Sequence, residues 1–561
     1  MLPGRTYGRS LETTRCSVKT PLLSSDLSLG GPDAWSTQEG RSLTENFLPV
    51  RQFEEIAFDE KSFLSGRRGS GKSAIARMLE RSPDWEYRRA IQGERGEYGE
   101  YMSVVSKLAQ DRDMGRTVYI KQSVRRLWTW VLPVVAMQTI LNSMEDSDQS
   151  LDNDSRCMKS YVDTLPYGLT VNSSIGHLLN HVFAATQKGP EADGCELLDL
   201  LNAPSYVAAL KALTNKTRKA YLLLVLDTLE SYRVFQPEMV EGLQGVLEAI
   251  NAHLSNPQLT GVSIKFFIPA EIYDVVVAGF PGKMHARTVF LRWRAADIIS
   301  MLARRLLSVL HRTDALPQTE LNNLKRLVDS AYDGTDGRHL RKQFWYDTHF
   351  LPATIRNMVG KEEDTFAYIL RHTMRRPRDL ITAVMQSIVN EAAAANTFPR
   401  CSAEDVVKGV HNPIALMQIL KEAIAPYEDD FPDELVRAAQ AAFYNRSQIM
   451  TGRELKQFAK ELYTLRSVEH IELDSFVSAL LKCGVVGLLD EEHEAQSPSS
   501  IYIKARFEHL MQGNLPLLDR LRYCVHPVMA NAFKMKRPAD GRVVYPLPTE
   551  DLWLEHEAHI A

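Results

Sequence analysis

The alternation of apolar and polar residues divides this chain of 561 residues into regions of different predicted structure. Between residues 45 and 295, short apolar runs alternate with helical stretches, a pattern typical of a sheet covered by helices. The runs that predict strands are Ser62–Leu64, Glu86–Ile91, Tyr221–Leu226, Ile264–Ile268 and Thr288–Leu291. We therefore predict an α/β domain with a mainly parallel sheet at 45–295.

The regions that follow differ in their periodicity. Residues 296–425 keep helical spacing only, which predicts an all-helical lid domain. Residues 426–540 predict three helices followed by a β-hairpin, in which apolar and polar residues alternate over 501–504. Three helices and a hairpin predict a winged-helix domain. Segment 1–44, rich in Ser, Thr and Gly, is predicted to be poorly ordered, and 541–561 forms a C-terminal tail.

Composition narrows the class of protein. The formal net charge is −4, from 66 basic and 70 acidic residues, so contact with nucleic acid or anionic lipid would need a local patch. The six cysteines form no C-x-x-C pair, which argues against zinc and disulfides and favours the reducing cytoplasm. The most apolar stretch, Leu127–Leu141, contains Pro133 and is shorter than the roughly 20 residues of a membrane span. We expect a buried helix there and no membrane partner.

One short motif carries clear chemistry. The stretch "GRRGSGKS" follows a predicted strand, precedes a predicted helix and fits G-x-x-x-x-G-K-[ST]. In that pattern the loop amides surround a phosphate, the lysine reaches the β- and γ-phosphates, and the hydroxyl binds Mg²⁺. We therefore predict binding of ATP with Mg²⁺; the alternative is a glycine-rich strand-to-helix turn. The predicted binding residues are Gly66, Arg67, Arg68, Gly69, Ser70, Gly71, Lys72, Ser73 and Ala74.

A P-loop needs an acid on a second strand to orient Mg²⁺ through its water shell. The apolar run "YLLLVLD" ends at Asp227, so Ser73 and Asp227 are the predicted metal residues. Glu230 lies three positions further and is a candidate to orient or to deprotonate the attacking water. The predicted catalytic residues are Lys72, Asp227 and Glu230. The alternative for Asp227 is a turn aspartate after a buried strand.

The pairing of "GRRGSGKS" with "LLLVLDTLE" resembles the STAND-type and origin-recognition-like AAA+ ATPases, whose acidic strand runs into D-x-L-[DE]. The resemblance covers about residues 45–535, and "HTMRRPRDLI" is similar to the lid segment of a bacterial group of these ATPases, many linked with defence against mobile DNA. It implies an ATPase domain, a helical lid and a winged helix. It also implies a nucleotide-dependent switch in the bacterial cytoplasm.

The lid segment contains three arginines at the start of a predicted helix. Arg375, Arg376 and Arg378 crowd the positive end of the helix dipole, which is unfavourable for cations unless an anion is present. The resemblance implies a sensor-2 role, in which one arginine touches the nucleotide phosphate, and Arg378 is our choice. The alternative is a salt bridge from Arg378 to a neighbouring acid.

Two features depart from the family pattern. The strand "SIKFFIP" leads into Glu271, where the family's sensor-1 position usually has a small polar residue or an arginine. The span from Lys72 to Asp227 is long and mostly helical, so residues 95–215 are a candidate recognition surface inserted into the ATPase domain. An oligomer would also need an arginine finger. Four arginines are candidates, with a solvated charge on a helix or at a strand edge as the alternative for each, and none is assigned: Arg292, Arg294, Arg304 and Arg305.

The partner of the predicted winged helix remains open. Its third helix carries Glu472 and Asp474 against a single Lys482, whereas DNA phosphates need basic side chains. Lys504 and Arg506 of the hairpin could still contact DNA. We expect a protein partner or effector, with DNA as the alternative and a homo-oligomer left open. The alternative function is a nucleotide-binding scaffold that does not hydrolyse ATP, or a DNA-binding regulator.

Overall fold

The computed structural model of the chain describes residues 27–31, 43–58, 60–92, 99–115, 119–147, 150–165, 176–179, 201–227, 237–256, 261–280, 282–332, 337–427, 437, 439–441, 443–464, 473–491, 500–510, 514–546, 551 and 554. The fold is built around two separate five-stranded sheets, with a helical region between them in the sequence.

The first sheet is parallel throughout. Its strands are β1 (Phe63–Gly66), β2 (Tyr87–Gln92), β3 (Leu222–Asp227), β4 (Val262–Pro269) and β5 (Thr288–Phe290), in the spatial order β2-β3-β4-β1-β5. All five predicted strands are confirmed, with small shifts at their ends. Every residue of β1 and β3 is buried, as expected for a parallel sheet that is covered on both faces.

Helices cover this sheet and fill the long connection between β2 and β3. The bounds are α1 (Arg51–Phe58), α2 (Lys72–Arg81), α3 (Gly99–Asp113), α4 (Ile120–Asp146), α5 (Asn153–Asp163), α6 (Pro204–Thr217), α7 (Pro237–Leu254), α8 (Ala270–Val277) and α9 (Lys283–Ala286). The helix predicted at Leu127–Leu141 lies in α4, where most side chains are buried and where Pro133 is accommodated. Among the described helices, none is long and apolar enough to cross a bilayer.

The region predicted as an all-helical lid contains a β-hairpin, so that prediction was wrong in part. Strands β6 (Thr354–Arg356) and β7 (Glu362–Asp364) pair antiparallel across a turn in which Gly360 has a φ of 81°. The strands have three residues each, too short to show an alternating pattern. The helices are α10 (Ala295–Arg312), α11 (Gln318–Tyr332), α12 (Gly337–Leu340), α13 (Thr365–Arg371), α14 (Met385–Ala394), α15 (Ala403–Val410) and α16 (Pro413–Ile424), with π-helical turns at Arg341–Asp347 and Asp379–Val384.

The third region is a mixed sheet with short helices. Its strands are β8 (Ile449–Thr451), β9 (Val486–Leu489), β10 (Tyr502–Arg506), β11 (Arg522–Val525) and β12 (Val543–Tyr545), in the order β12-β10-β9-β11-β8. Its helices are α17 (Gly452–Thr464), α18 (Leu473–Lys482) and α19 (Pro527–Ala532). The predicted hairpin is confirmed as the antiparallel pair β9–β10, and Thr451 and Glu454 form a capping box at the start of α17.

Three strands of this sheet were not predicted. β8, β11 and β12 have three or four residues, and β10 pairs with β12 across a long stretch of sequence. Such pairings depend on tertiary packing more than on local pattern. The first helix predicted for this region falls largely on residues outside the described part of the chain.

Candidate phosphate-binding site

The loop between β1 and α2 has the backbone that a phosphate cradle requires. Gly69 and Gly71 have φ angles of 76° and 98°, a conformation that side chains rarely adopt. Gly66 is required for a different reason, because a Cβ there would lie 2.7 Å from Ser70 Oγ and 3.1 Å from Leu291 Cβ. Gly66 is therefore needed for space, whereas Gly69 and Gly71 are needed for their left-handed backbone conformation.

Lys72 begins helix α2 and is buried. Its ammonium donates to the carbonyl oxygens of Gly66 at 2.7 Å and Arg67 at 3.2 Å. A buried ammonium needs such acceptors, and a phosphate would offer charged ones in their place. Ser73 and Ala74 follow in the first turn of α2, half-buried, at the positive end of the helix dipole.

The predicted Mg²⁺ acid lies at the same edge of the sheet as the loop. Asp227 is the last residue of β3 and is buried. It follows Leu226, which pairs with Phe266 of β4, and Phe266 in turn pairs with Phe63 of β1. Because the strands are parallel, Asp227 and the P-loop leave the sheet on one side, two strands apart. Glu230 falls in 228–236, outside the described residues.

Groups from outside the loop hold three consecutive loop carbonyls. They come from the lid and from the chain after β5, two parts of the protein that meet at the loop. The contacts are Arg376 Nη1 to Arg68 O at 3.4 Å, the Arg378 backbone N–H to Gly69 O at 3.3 Å, and Trp293 Nε1 to Ser70 O at 2.7 Å. The loop is thus fixed by tertiary contacts on its carbonyl side.

The three lid arginines have separate partners. Arg378 pairs with Glu422 of α16 at 3.2 Å, and Glu422 pairs with Arg68 of the loop at the same distance. This is the salt bridge named above as the alternative for Arg378. Contact with a nucleotide phosphate remains a prediction for it.

Arg376 and Arg375 are more deeply buried than Arg378. Arg376 pairs with Asp379 at 2.8 Å, and burial nevertheless raises the pKa of that carboxyl. Arg375 pairs with Asp551 at 2.5 Å, and Asp551 also accepts from the Ala295 N–H at the start of α10. The sequence analysis missed Glu422 and Asp551, because neither lies in a recognisable motif.

The first turn of α8, directly after β4, supplies a carboxylate to the loop. Glu271 Oε1 accepts from the Arg68 N–H at 3.2 Å, so a loop amide is already bonded. Of the arginines considered as fingers, Arg305 donates to Leu29 O and Arg304 lies 4.0 Å from Asp329. Arg292 and Arg294 are exposed. These contacts do not single out an arginine finger.

A cleft of about 480 Å³ opens beside the loop. The third region forms part of its wall through Lys482, Glu508 and His509. Arg67, also in the wall, donates to Lys482 O at 2.8 Å, and burial raises the pKa of Glu508. Within the described part of the chain, five side chains of this wall have buried polar atoms without a hydrogen-bond partner: Ser65, Ser70, Glu271, Arg375 and His509. Unsatisfied buried polar atoms fit a cleft that accepts a polar ligand.

A metal ion at this site would depend on the nucleotide for most of its ligands. Among the residues that the structure describes, no group of three or more His, Cys, Asp or Glu side chains could hold a metal ion. Ser73 in the first turn of α2 and Asp227 at the end of β3 have the positions from which a P-loop protein holds Mg²⁺ together with phosphates and water. The residues present therefore fit a metal that arrives with the nucleotide.

Strand order, loop backbone and buried lysine together define the class: an α/β protein whose parallel-sheet core and glycine-rich loop fit a P-loop fold. No protein-family model matches the sequence, and no curated protein matches it. Among solved structures, the chain is similar to one described as the Aeropyrum pernix ORC2 protein in ADPNP–ADP complexes. The match has a TM-score of 0.33 and 12% identity, and covers 88% of this chain and 92% of that one. A TM-score this low does not define a shared fold, so the class rests on this chain's own geometry.

Proposed function

We propose that the protein binds ATP with Mg²⁺ at the loop 66–74 and hydrolyses it. The observation that carries this proposal is the arrangement of Gly69 and Gly71 in left-handed conformations, directly before the buried Lys72. Asp227 at the same sheet edge supports it, because a P-loop acid orients Mg²⁺ from a neighbouring strand. Glu230 is the proposed group that orients or deprotonates water.

The protein would act as a switch of the AAA+ and STAND kind. Arg376 and Arg378 contact the loop from the lid, and Lys482 contacts it from the third region. A ligand that rearranges the loop would thereby change how both neighbours pack. The output would be a partner protein or, as the alternative, DNA bound by a winged helix. We propose the bacterial cytoplasm as the location of this switch and antiviral defence as its setting, because the resemblance of the motifs implies both.

A second candidate function is that of a scaffold that binds a nucleotide and does not hydrolyse it. It is favoured by Glu271, which holds the Arg68 amide where a sensor-1 residue would face the γ-phosphate. A carboxylate at that place repels the developing negative charge of phosphoryl transfer, which catalytic sites usually neutralise. The scaffold would bind ATP and ADP and use the bound state alone as its signal.

Calorimetry with ADP and with a non-hydrolysable ATP analogue tests binding. We expect the unsubstituted protein to bind both and Lys72→Ala to lose binding, because the lysine is the loop's charged contact to phosphate. Lys408→Ala is the matched control, since Lys408 is exposed in the lid and pairs with Glu404. Equal affinity in Lys72→Ala and Lys408→Ala would refute the site. Phosphate release by the unsubstituted protein then separates the ATPase from the scaffold.

A further inference from the structure

The peptide between Ser70 and Gly71 is poorly restrained by its own sequence. Glycines flank Ser70 on both sides, and both have positive φ angles. Glycine gives the backbone several accessible conformations, so this peptide could rotate at low cost in the absence of other contacts. The orientation that it takes must therefore be fixed from outside the loop.

Trp293 supplies that restraint. It lies three residues after β5 and is half-buried, and its indole N–H donates to Ser70 O at 2.7 Å. In a planar trans peptide the C=O and the following N–H point in opposite directions. The hydrogen bond that holds Ser70 O toward the indole thus aims the Gly71 N–H away from it. We propose that Trp293 is a positioning residue that orients the Gly71 amide for the phosphate of a bound nucleotide, an inference that rests on the proposed function.

Trp293 is itself held in place by the lid. Its carbonyl oxygen accepts from Arg375 Nη2 at 3.2 Å, and the same nitrogen lies 2.5 Å from Asp551 Oδ2. The other oxygen of Asp551 accepts from the Ala295 N–H at 3.2 Å, two residues after the tryptophan. These groups are buried, and they fix the chain on which the indole is carried. A buried support that is hydrogen-bonded through Arg375 Nη2 and both oxygens of Asp551 restricts the positions open to the indole.

The role of Trp293 is separate from those of Arg376 and Arg378. The arginines hold the carbonyls of Arg68 and Gly69, whereas the indole holds the carbonyl next to Gly71, the residue before Lys72. Loss of the indole N–H would leave the other two contacts intact. The effect of a Trp293 variant should therefore fall on the amide nearest the lysine.

The test compares two tryptophan variants of the full chain. Trp293→Phe removes the donor to the loop. Trp130→Phe is the control. It removes an indole hydrogen bond of similar length, the 2.8 Å bond that Trp130 Nε1 donates to the Tyr161 hydroxyl in the helices between β2 and β3. ADP is the probe, with affinity measured by calorimetry and folding by thermal melting. We expect Trp293→Phe to weaken ADP binding about tenfold, which corresponds to about 1.4 kcal/mol, and Trp130→Phe to leave it unchanged.

A spectroscopic readout separates positioning from a general effect on folding. The measurement is fluorine NMR of the protein labelled with 5-fluorotryptophan. The Trp293 resonance is the one that is missing from the spectrum of Trp293→Phe. It should shift when ADP binds, whereas the Trp130 resonance should not. If Trp293→Phe does not fold, Trp293→Tyr serves to assign the Trp293 resonance. The shift of that resonance on addition of ADP to the unsubstituted protein then tests the inference.

Each outcome has one meaning. Equal ADP affinity in the two variants, or a Trp293 resonance that ADP leaves unmoved, would overturn the inference while the proposed function stands. Absence of ADP binding to the unsubstituted protein would instead remove the proposed function and this inference with it.

Discussion

Arg67 Nη1 lies 2.8 Å from the carbonyl oxygen of Lys482 and joins the P-loop to the last residue of α18. A cation is stabilised at that end of a helix, because the helix dipole places its negative pole there. The first arginine of the loop therefore faces the third region.

Substitution of Arg67 should loosen this contact. In Arg67→Gln we expect amide exchange in 473–491 to rise by about fivefold, since a charge at a helix C-terminus contributes up to about 1 kcal/mol. Arg88→Gln is the matched control, because Arg88 also donates to a backbone carbonyl, that of Trp85 at 2.7 Å, away from the loop. Hydrogen exchange followed by mass spectrometry measures both. Identical exchange in the two variants would show that the contact does not stabilise docking.

Gly69→Ala should weaken ADP binding in addition to the loss of stability that its backbone strain causes. A left-handed alanine costs about 1 kcal/mol, and the new Cβ would lie 3.2 Å from Arg378 Cβ. Gly360→Ala carries similar strain, at a φ of 81° with no atom within 4 Å of the new Cβ. We expect both variants to lose about 1 kcal/mol of stability and Gly69→Ala alone to lose ADP affinity. Thermal melting and calorimetry check this, and unchanged affinity in Gly69→Ala would contradict it.

Glu230→Gln should retain ATP but slow its hydrolysis. The carboxylate is proposed to act on water and not to hold the nucleotide, and a general base contributes about 100-fold or more to the rate. Asp227→Asn should weaken the Mg²⁺-dependent turnover, because the proposed Mg²⁺ acid is lost. Glu238→Gln, in the first turn of α7, is the control. Phosphate release gives the rates, and a Glu230→Gln protein that matches the control would place the base elsewhere.

His526 should make the stability of the fold sensitive to acid. It is fully buried, and its Nδ1 accepts from the Val528 N–H at 3.3 Å as the cap of α19. Burial, aided by the charge of Arg376, lowers the pKa of His526 to about 3. The neighbouring His509, with ring centroids 5.4 Å apart, also has a lowered pKa, caused mainly by burial.

The sign of the effect follows from these values. A histidine in the unfolded chain has a pKa of about 6.5. Between about pH 6.5 and pH 3, His526 is therefore protonated in the unfolded chain and neutral in the folded protein. Stability is therefore lost as the pH falls through this window, by up to about 1.4 kcal/mol per pH unit for this residue. His526→Asn keeps a capping acceptor, and its melting temperature should fall less steeply. His311→Asn, at an exposed position of α10, should follow the unsubstituted protein. Equal slopes in all three would refute the prediction.

We expect no tight, sequence-specific DNA binding by the third region. Of the two basic residues proposed for a DNA contact, Lys504 is buried with 8% of its surface exposed, and Arg506 is exposed. One accessible basic side chain neutralises few phosphates, which keeps affinity low. A gel-shift assay of the full chain at physiological salt tests this. Tight binding to one sequence that is lost in Arg506→Ala would favour the DNA-binding alternative.

The sequence by itself determined the features whose signal is local. The five strands of the parallel sheet appear as apolar runs, and the loop with Lys72 and the strand ending at Asp227 appear as short motifs. These features could be predicted because backbone conformation and burial of a continuous segment depend on the residues of that segment. The proposal of phosphate binding also rests on residue types that the sequence of the loop shows by itself.

Tertiary structure alone decided what surrounds the loop. Trp293 is 223 positions from Ser70, and Asp551 is 256 positions from Ala295, so no window of sequence contains either pair. The strands β8, β11 and β12 are too short for a periodic signal, and they form because segments remote in the sequence pair with them. A side chain's partner over such separations is set by how the domains pack, and this packing is the sum of many weak contacts spread through the chain.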